Sequence, residues 1–251
     1  MHCKLVYFAH LEYASMDDQQ KLQVFQAQTE NVRELERAWN HLNRQINALI
    51  LQKNGKSVEI VTRLLALVYC ALTEATFSKM IHTPYSLDND EIEQIKGAQT
   101  TGVKLAWLKC AGLAIRHIGG AKTSHAPNVL KKLTELIDQF VFDPSLIRNK
   151  IAHGQWAIAL NRENTAVNTD LTQEIANLDV VELSRRKYAL EKLALIVEDI
   201  IESPVKTHNR DFWRHLTELE SGQKKMARWT FEDKVRQLFD KKERMRHGRP
   251  A

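Results

Sequence analysis

The residues with the clearest chemical capability lie close together in one segment, Arg148-Asn149-Lys150-Ile151-Ala152-His153. A guanidinium suits phosphate oxygens, and an imidazole that titrates near neutral pH can move protons. On a helix, at about 100° per residue, Asn149 and His153 share a face. Arg148 lies to the side of that face and is long enough to reach the same spot. The amide of Asn149 could hold the imidazole in one orientation.

The segment from Arg148 to Gly154, RNKIAHG, resembles the signature of HEPN domains. In that signature a His follows an Arg after four to six residues, Asn commonly follows the Arg, and Gly can follow the His. The resemblance covers residues 57–201. It implies an endoribonuclease that needs no metal, in which the ribose 2′-OH attacks the adjacent phosphate and leaves a 2′,3′-cyclic phosphate and a 5′-OH.

This reaction needs a base for the 2′-OH and an acid for the departing 5′ oxygen, on opposite sides of phosphorus. The resemblance therefore implies a homodimer with a composite active site that contains His153 twice. Arg148 would stabilise the charge that builds on the phosphate. In family members that are silenced by nucleotide transfer, a Tyr usually stands two residues after the His. Gln155 occupies that position here, so we do not expect this form of control.

The biological role that the resemblance implies is a toxin or a phage-defence effector. Two alternatives stay open. The chain could be a non-catalytic HEPN-like module that binds RNA or a nucleotide, or that only dimerises. It could also be an interaction protein whose basic C-terminal segment docks a partner such as an antitoxin or a sensor subunit.

Three further residues could assist at the site. Glu74 is a carboxylate within an apolar helical run, where HEPN-like chains often carry an acidic residue that could reach the site; an ion pair or a helix-end contact explains it equally well. Lys150 could contact phosphate, although an exposed helical Lys needs no function. Trp156 could stack on a base, although a Trp in this position more often packs against a core.

The positive charge of the chain is concentrated in residues 206–251. This segment holds 13 Lys or Arg against 7 Asp or Glu, whereas the whole chain carries +5. RNA is the obvious partner for such a segment, although a solvated helix face explains the charge as well. Aromatic residues alternate with the basic ones, which indicates either binding of single-stranded RNA or helices that pack on the bundle. The candidate RNA-binding residues are Lys224, Lys225 and Arg228.

The chain predicts an all-α, HEPN-like bundle, because apolar residues recur at helical spacing along most of it. Asp143 as N-cap and Pro144 at the first helical position predict the start of the motif helix, and Gly154 predicts its end. The strands that we expect form a small β-hairpin, 155–161 with 165–169. The helices are predicted at 19–52, 57–81, 91–118, 127–141, 144–153 and 181–201, followed by two helical pieces around Ser221-Gly222.

Ser203-Pro204 predicts a boundary between a helical domain, 1–205, and a basic helical extension, 206–251. Apolar runs are too short and interrupted to predict a membrane span, and the N-terminus does not resemble a signal peptide. The 3 Cys residues form no CxxC pair, which favours the reduced cytoplasm and argues against disulfides and zinc. We therefore expect a cytoplasmic protein that holds no metal and no cofactor.

Overall fold

The computed structural model describes residues 16–84, 86–118, 125–202 and 208–247, and these form an all-α structure. The predicted boundary at Ser203-Pro204 lies outside the described residues. A short π-helical turn, Asp138–Phe142, joins the fifth and sixth helices. The helices are α1 Asp18–Leu51, α2 Gly55–Ile81, α3 Asn89–Thr101, α4 Val103–Arg116, α5 His125–Ile137, α6 Asp143–Ala152, α7 Thr169–Ala176, α8 Val180–Glu202, α9 His208–Met226 and α10 Phe231–His247.

The turn between α1 and α2 ends one helix and starts the next within three residues. Lys53 adopts a left-handed conformation, φ 57°, and the N–H of Asn54 donates to the carbonyl of Leu49 at 3.1 Å, as in a Schellman motif. The side chain of Asn54 then accepts from the N–H of Ser57 at 3.2 Å and caps α2. The predicted end of α1 is confirmed, but Lys53 terminates it and Gly55 opens α2.

Helix α2 is the centre of the bundle, as its apolar sequence predicts. Its buried residues pack against α1, α6 and α8. Length and composition alone would also allow α2 to cross a membrane, but 56% of its most apolar window is buried inside the bundle. A core helix gives the same pattern, because it is apolar on several sides.

The single helix predicted over 91–118 is wrong, because the structure contains two helices there. Helix α3 begins with a capping box in which Asp88 accepts from the N–H of Glu91 at 2.8 Å. It ends at Thr101, and Gly102, whose backbone is extended, separates it from α4. Glycine is among the poorest helix formers, so this residue is the natural place for the break.

The motif helix starts within one residue of its predicted start, but the N-cap predicted at Asp143 is wrong. Asp143 is helical and makes no side-chain cap, and the chain continues from α5 through the π turn into α6. Pro144 has no N–H with which to bond the carbonyl of Phe140, four residues earlier. The hydroxyl of Tyr69, on α2, donates to this carbonyl at 3.0 Å. The helix therefore passes the proline because a π turn and a side chain from α2 accommodate it.

The predicted β-hairpin reduces to a closed loop, and no strand is present in the residues that the structure describes. One antiparallel bridge joins Leu160 and Val167. The side chain of Asn161 accepts from the N–H of Thr165 at 2.8 Å and closes the loop from within. Thr169, predicted as a strand end, begins α7 after its N-cap Asn168. Local capping by Asn168 outweighs the weak strand pattern here.

Helix α9 packs along α8 and contributes to the same hydrophobic core. The predicted break at Ser221-Gly222 is wrong, because α9 runs through it to Met226 and the chain turns afterwards. Gly222 lies against the ring of Tyr188 on α8, and the hydroxyl of Tyr188 donates to the carbonyl of Glu218 at 2.9 Å. The buried side chains that α9 adds to the core are Phe212, Leu216 and Leu219.

We expect Gly222→Ala to lower the free energy of unfolding by about 1–3 kcal/mol, the usual cost of overpacking. A Cβ at this position would lie 2.6 Å from Oη and 2.7 Å from Cζ of Tyr188. The matched control is Gly112→Ala in α4, where nothing lies within 4 Å of the added Cβ; it should be neutral or stabilising, since Ala is the better helix former. Urea unfolding measures both. Equal effects would mean that α9 does not approach α8 this closely.

Candidate functional site

The end of the motif helix fixes the backbone of His153. The N–H of Gly154 donates to the carbonyl of Ile151 at 3.1 Å, and that of Gln155 donates to Lys150 at 2.9 Å. These two bonds form a Schellman motif, in which Gly154 adopts the left-handed φ of 79°. His153 is the C-cap residue, and its side chain is exposed. The motif glycine therefore ends α6 and holds His153 at the solvent boundary.

Arg148, by contrast, turns toward α2. Its guanidinium forms an ion pair with the carboxylate of Glu74, and the two side chains are 29% and 49% exposed. The Nε atom of Arg148 is buried and has no hydrogen-bond partner within the described residues. The structure thus brings together Arg148 and Glu74, which are 74 positions apart in the chain.

A buried thiol completes the surroundings of Arg148. Burial raises the pKa of the Cys70 thiol to about 12, whereas the positive charges of Arg148 and Arg186 act to lower it. The thiol is therefore protonated at neutral pH, as expected for a core cysteine. Arg186, on α8, was missed in the sequence analysis, because only the packing of α8 on α2 brings it close. A small crevice beside Arg148 is lined by Tyr69, Cys70, Thr73, Glu74, Val103, Val141, Pro144 and Ser145.

The other motif residues divide between solvent and the loop that follows. The side chain of Asn149 is exposed, like that of His153, and within the described residues neither makes a hydrogen bond or an ion pair. The ammonium of Lys150 donates to the carbonyl of Leu160 at 2.6 Å. The indole of Trp156 donates to the carbonyl of Ile151 at 2.9 Å, and its ring packs partly against the core. Lys150 and Trp156 therefore hold the loop onto α6.

The basic residues near the end of α9 are exposed. Lys224 and Lys225 occupy the last turn of α9, and Arg228 lies in the turn before α10. The neighbouring aromatic residues divide: Phe231 and Phe239 pack partly against the core, whereas Trp213 and Trp229 are 49% and 44% exposed. The two phenylalanines thus fit helices that pack on the bundle, and the two tryptophans fit binding of single-stranded RNA.

The described residues contain no group of three or more His, Cys, Asp or Glu side chains that could hold a metal ion. What the motif offers is an exposed amide on α6 and an exposed imidazole at its end, and a guanidinium that turns to α2, where a carboxylate anchors it. These groups can bind an anion and transfer a proton.

A double-mutant cycle of Arg148→Gln and Glu74→Gln should give a coupling energy of about 0.2–1 kcal/mol, the range of pairs that water and salt screen. Both side chains of this pair retain contact with solvent. Urea unfolding of the four proteins measures the coupling. A value near 3 kcal/mol would instead indicate a pair that behaves as fully buried.

Comparisons of the chain with protein-family models, with curated proteins and with solved structures found no match.

Proposed function

We propose that this protein is a metal-independent endoribonuclease in which Arg148, Asn149 and His153 act on a phosphodiester of RNA. The observation that carries the proposal is the arrangement on α6: an exposed imidazole stands at the end of a short helix whose Arg148 is anchored on α2 by Glu74. An anchored guanidinium loses little freedom when it binds a phosphate, and the exposed imidazole is accessible to a substrate as large as RNA.

In the proposed reaction, the imidazole of one His153 takes the proton of the ribose 2′-OH while that oxygen attacks phosphorus. The bond from phosphorus to the 5′ oxygen breaks, and a second, protonated imidazole gives its proton to that oxygen. The products are a 2′,3′-cyclic phosphate and a 5′-OH. The guanidinium of Arg148 stabilises the negative charge on the non-bridging oxygens. The amide of Asn149, exposed on the same helix, donates to the phosphate of the bound RNA.

The second imidazole comes from a second copy of the chain, so the proposed enzyme is a homodimer with a composite site. Three apolar side chains on α6 and in the loop after it support this assembly, because they are exposed to solvent. Leu146 is 37% exposed, and Ile158 and Val167 in the loop after the motif are 55% and 56% exposed. Exposed apolar groups beside a site are suited to self-association.

The biological role that we propose is that of a cytoplasmic toxin or phage-defence effector, which an antitoxin or sensor subunit could restrain. This role rests on the resemblance of RNKIAHG to the HEPN signature.

The alternative is a non-catalytic module that binds RNA or dimerises. One observation favours it: Arg148 already has a partner in Glu74 and contacts the core near Cys70. An arginine used in this way can be purely structural. Dependence of RNA cleavage on His153 separates the two functions, since His153 is exposed and its removal should leave the fold intact.

The deciding experiment incubates the full chain with a mixed-sequence RNA in excess chelator. We expect wild type to leave 2′,3′-cyclic phosphate ends, read by mass spectrometry, and His153→Ala and Arg148→Ala to cleave at least about a hundredfold more slowly, as when a proton-transfer group is lost. His41→Ala and Arg44→Ala, at exposed positions on α1, are the matched controls and should cleave like wild type. If His153→Ala cleaves at the wild-type rate, His153 is not the proton-transfer group.

Self-association is tested with Ile158→Lys and Val167→Lys together. These charges should disfavour a dimer that buries the loop after the motif, so sedimentation should show a monomer and cleavage at micromolar protein should fall. The control is Ile60→Lys with Leu64→Lys, which adds the same charge to α2, where the two side chains are 40% and 39% exposed. A dimer that survives the first pair and dissociates with the second would place the interface on α2.

A further inference from the structure

A cleft opens where α9 ends, on the side of α8 that faces it. Its lining combines two aromatic rings with a thioether and the stem of a lysine: Tyr188, Gly222, Lys225, Met226 and Trp229. Gly222 lets α9 approach α8 so closely that its backbone lies against the Tyr188 ring. Trp229 is 44% exposed, so one part of its ring remains accessible to a ligand.

The turn that carries Trp229 is fixed in place by Arg185 on α8. The guanidinium of Arg185 donates to the carbonyls of Met226 at 3.1 Å and of Trp229 at 3.3 Å. Glu182 holds the same guanidinium at 2.8 Å. The N–H of Trp229 donates back to Met226 at 3.0 Å. The indole is therefore presented on a backbone that is already ordered, which lowers the entropic cost of stacking a ligand on it.

The positive charges beside the cleft are not neutralised. Lys224, Lys225 and Arg228 form no ion pair within the described residues, whereas three acidic residues of α9 and α10 are already engaged and Glu232 is exposed without an ion pair. Glu218 pairs with Lys192, Glu220 with Lys132 and Asp233 with Arg236. The helix dipole of α9 also favours Lys224 and Lys225 at its negative, C-terminal end. The dipole does not explain why the indole of Trp229 is exposed next to them. Unpaired cations around an accessible aromatic ring match a base linked to phosphates.

We propose that this cleft binds one base of single-stranded RNA, stacked on Trp229, while Lys224, Lys225 and Arg228 contact the adjoining phosphates. The inference deepens the proposed function and rests on it for the identity of the ligand, because RNA is the substrate proposed for Arg148 and His153. Stacking accepts any base, so this site adds affinity and sets the position of the strand without reading its sequence.

Helix α8 connects the cleft to the motif. Glu182 binds Arg185, which holds the Trp229 turn, and also Arg186 at 2.9 Å. Arg186 acts on the Cys70 thiol that Arg148 also approaches. Two consecutive residues of α8 thus serve the two places, on different faces of one helix.

The test uses a fluorescein-labelled 12-residue oligouridylate with 2′-O-methyl riboses and the full chain, and reads binding by fluorescence anisotropy. Methylation removes the attacking hydroxyl, so binding is measured without cleavage. We expect Trp229→Leu to weaken binding about tenfold or more, as expected for loss of a stacked base, and Trp229→Phe to retain most of it. Trp213→Leu, at a Trp of similar exposure on α9, is the matched control and should bind within about twofold of wild type.

The cations are tested through salt. The triple variant K224Q/K225Q/R228Q should reduce the slope of log K against log salt by about 2, since each phosphate contact on a single strand contributes about 0.7. A control of equal charge, K53Q/R116Q/K131Q, changes three cations that are exposed elsewhere and should keep the wild-type slope. Three results would each overturn the proposal that the cleft binds RNA. They are equal slopes for the two triple variants, equal binding by Trp229→Leu and Trp213→Leu, and no binding by wild type.

The failure of this inference is distinguishable from failure of the proposed nuclease. If Trp229→Leu loses binding while wild type does not cleave RNA, the proposed RNA-binding cleft is supported and the proposed nuclease activity is not. If wild type cleaves RNA through His153 and Trp229→Leu binds the probe normally, the proposed nuclease activity is supported and the proposed RNA-binding cleft is not.

Discussion

The hydrogen bond from the Tyr69 hydroxyl to the carbonyl of Phe140, at 3.0 Å, is the contact on which the position of the motif helix depends. Pro144 leaves this carbonyl without its usual backbone donor. An unpaired buried carbonyl would cost about 1–3 kcal/mol, so the carbonyl is held where Tyr69 can reach it. This contact fixes α6 against α2, and the position of α6 brings Arg148 to Glu74.

Helix α8 gives the structure its second constraint. It is buried along much of its length between α2 and α9, and its charged residues face two different neighbours. The charge of Arg186 acts to lower the pKa of the Cys70 thiol on α2, and Arg185 donates to the turn after α9. Glu182 binds both guanidinium groups. One carboxylate therefore holds Arg186, whose charge acts on Cys70 near the motif, and Arg185, which holds the turn at the aromatic cleft. A change at Glu182 would disturb both places.

The exposed fractions of the charged groups bear on how the site could work. Arg148 and Glu74 remain partly solvated, so the ion pair contributes little to the free energy of unfolding. Its main effect is to restrict the position of the guanidinium. His153 lies at the end of α6, where the left-handed Gly154 stops the helix. The motif helix thus carries a guanidinium that Glu74 positions, and the imidazole at its end is accessible to solvent.

The sequence by itself determined the all-α class, most helix ends and the exposed end of the motif, because apolar spacing, Asn and Asp caps and Gly154 act over a few residues. It did not determine how α6 begins, since only Tyr69 from α2 makes the passage through Pro144 possible. It also did not locate the turn after α9, because Ser221-Gly222 is kept helical by close packing on Tyr188. Contacts such as Arg148 with Glu74, and Arg185 with the Trp229 turn, join residues far apart in the chain, so only the tertiary structure decided them.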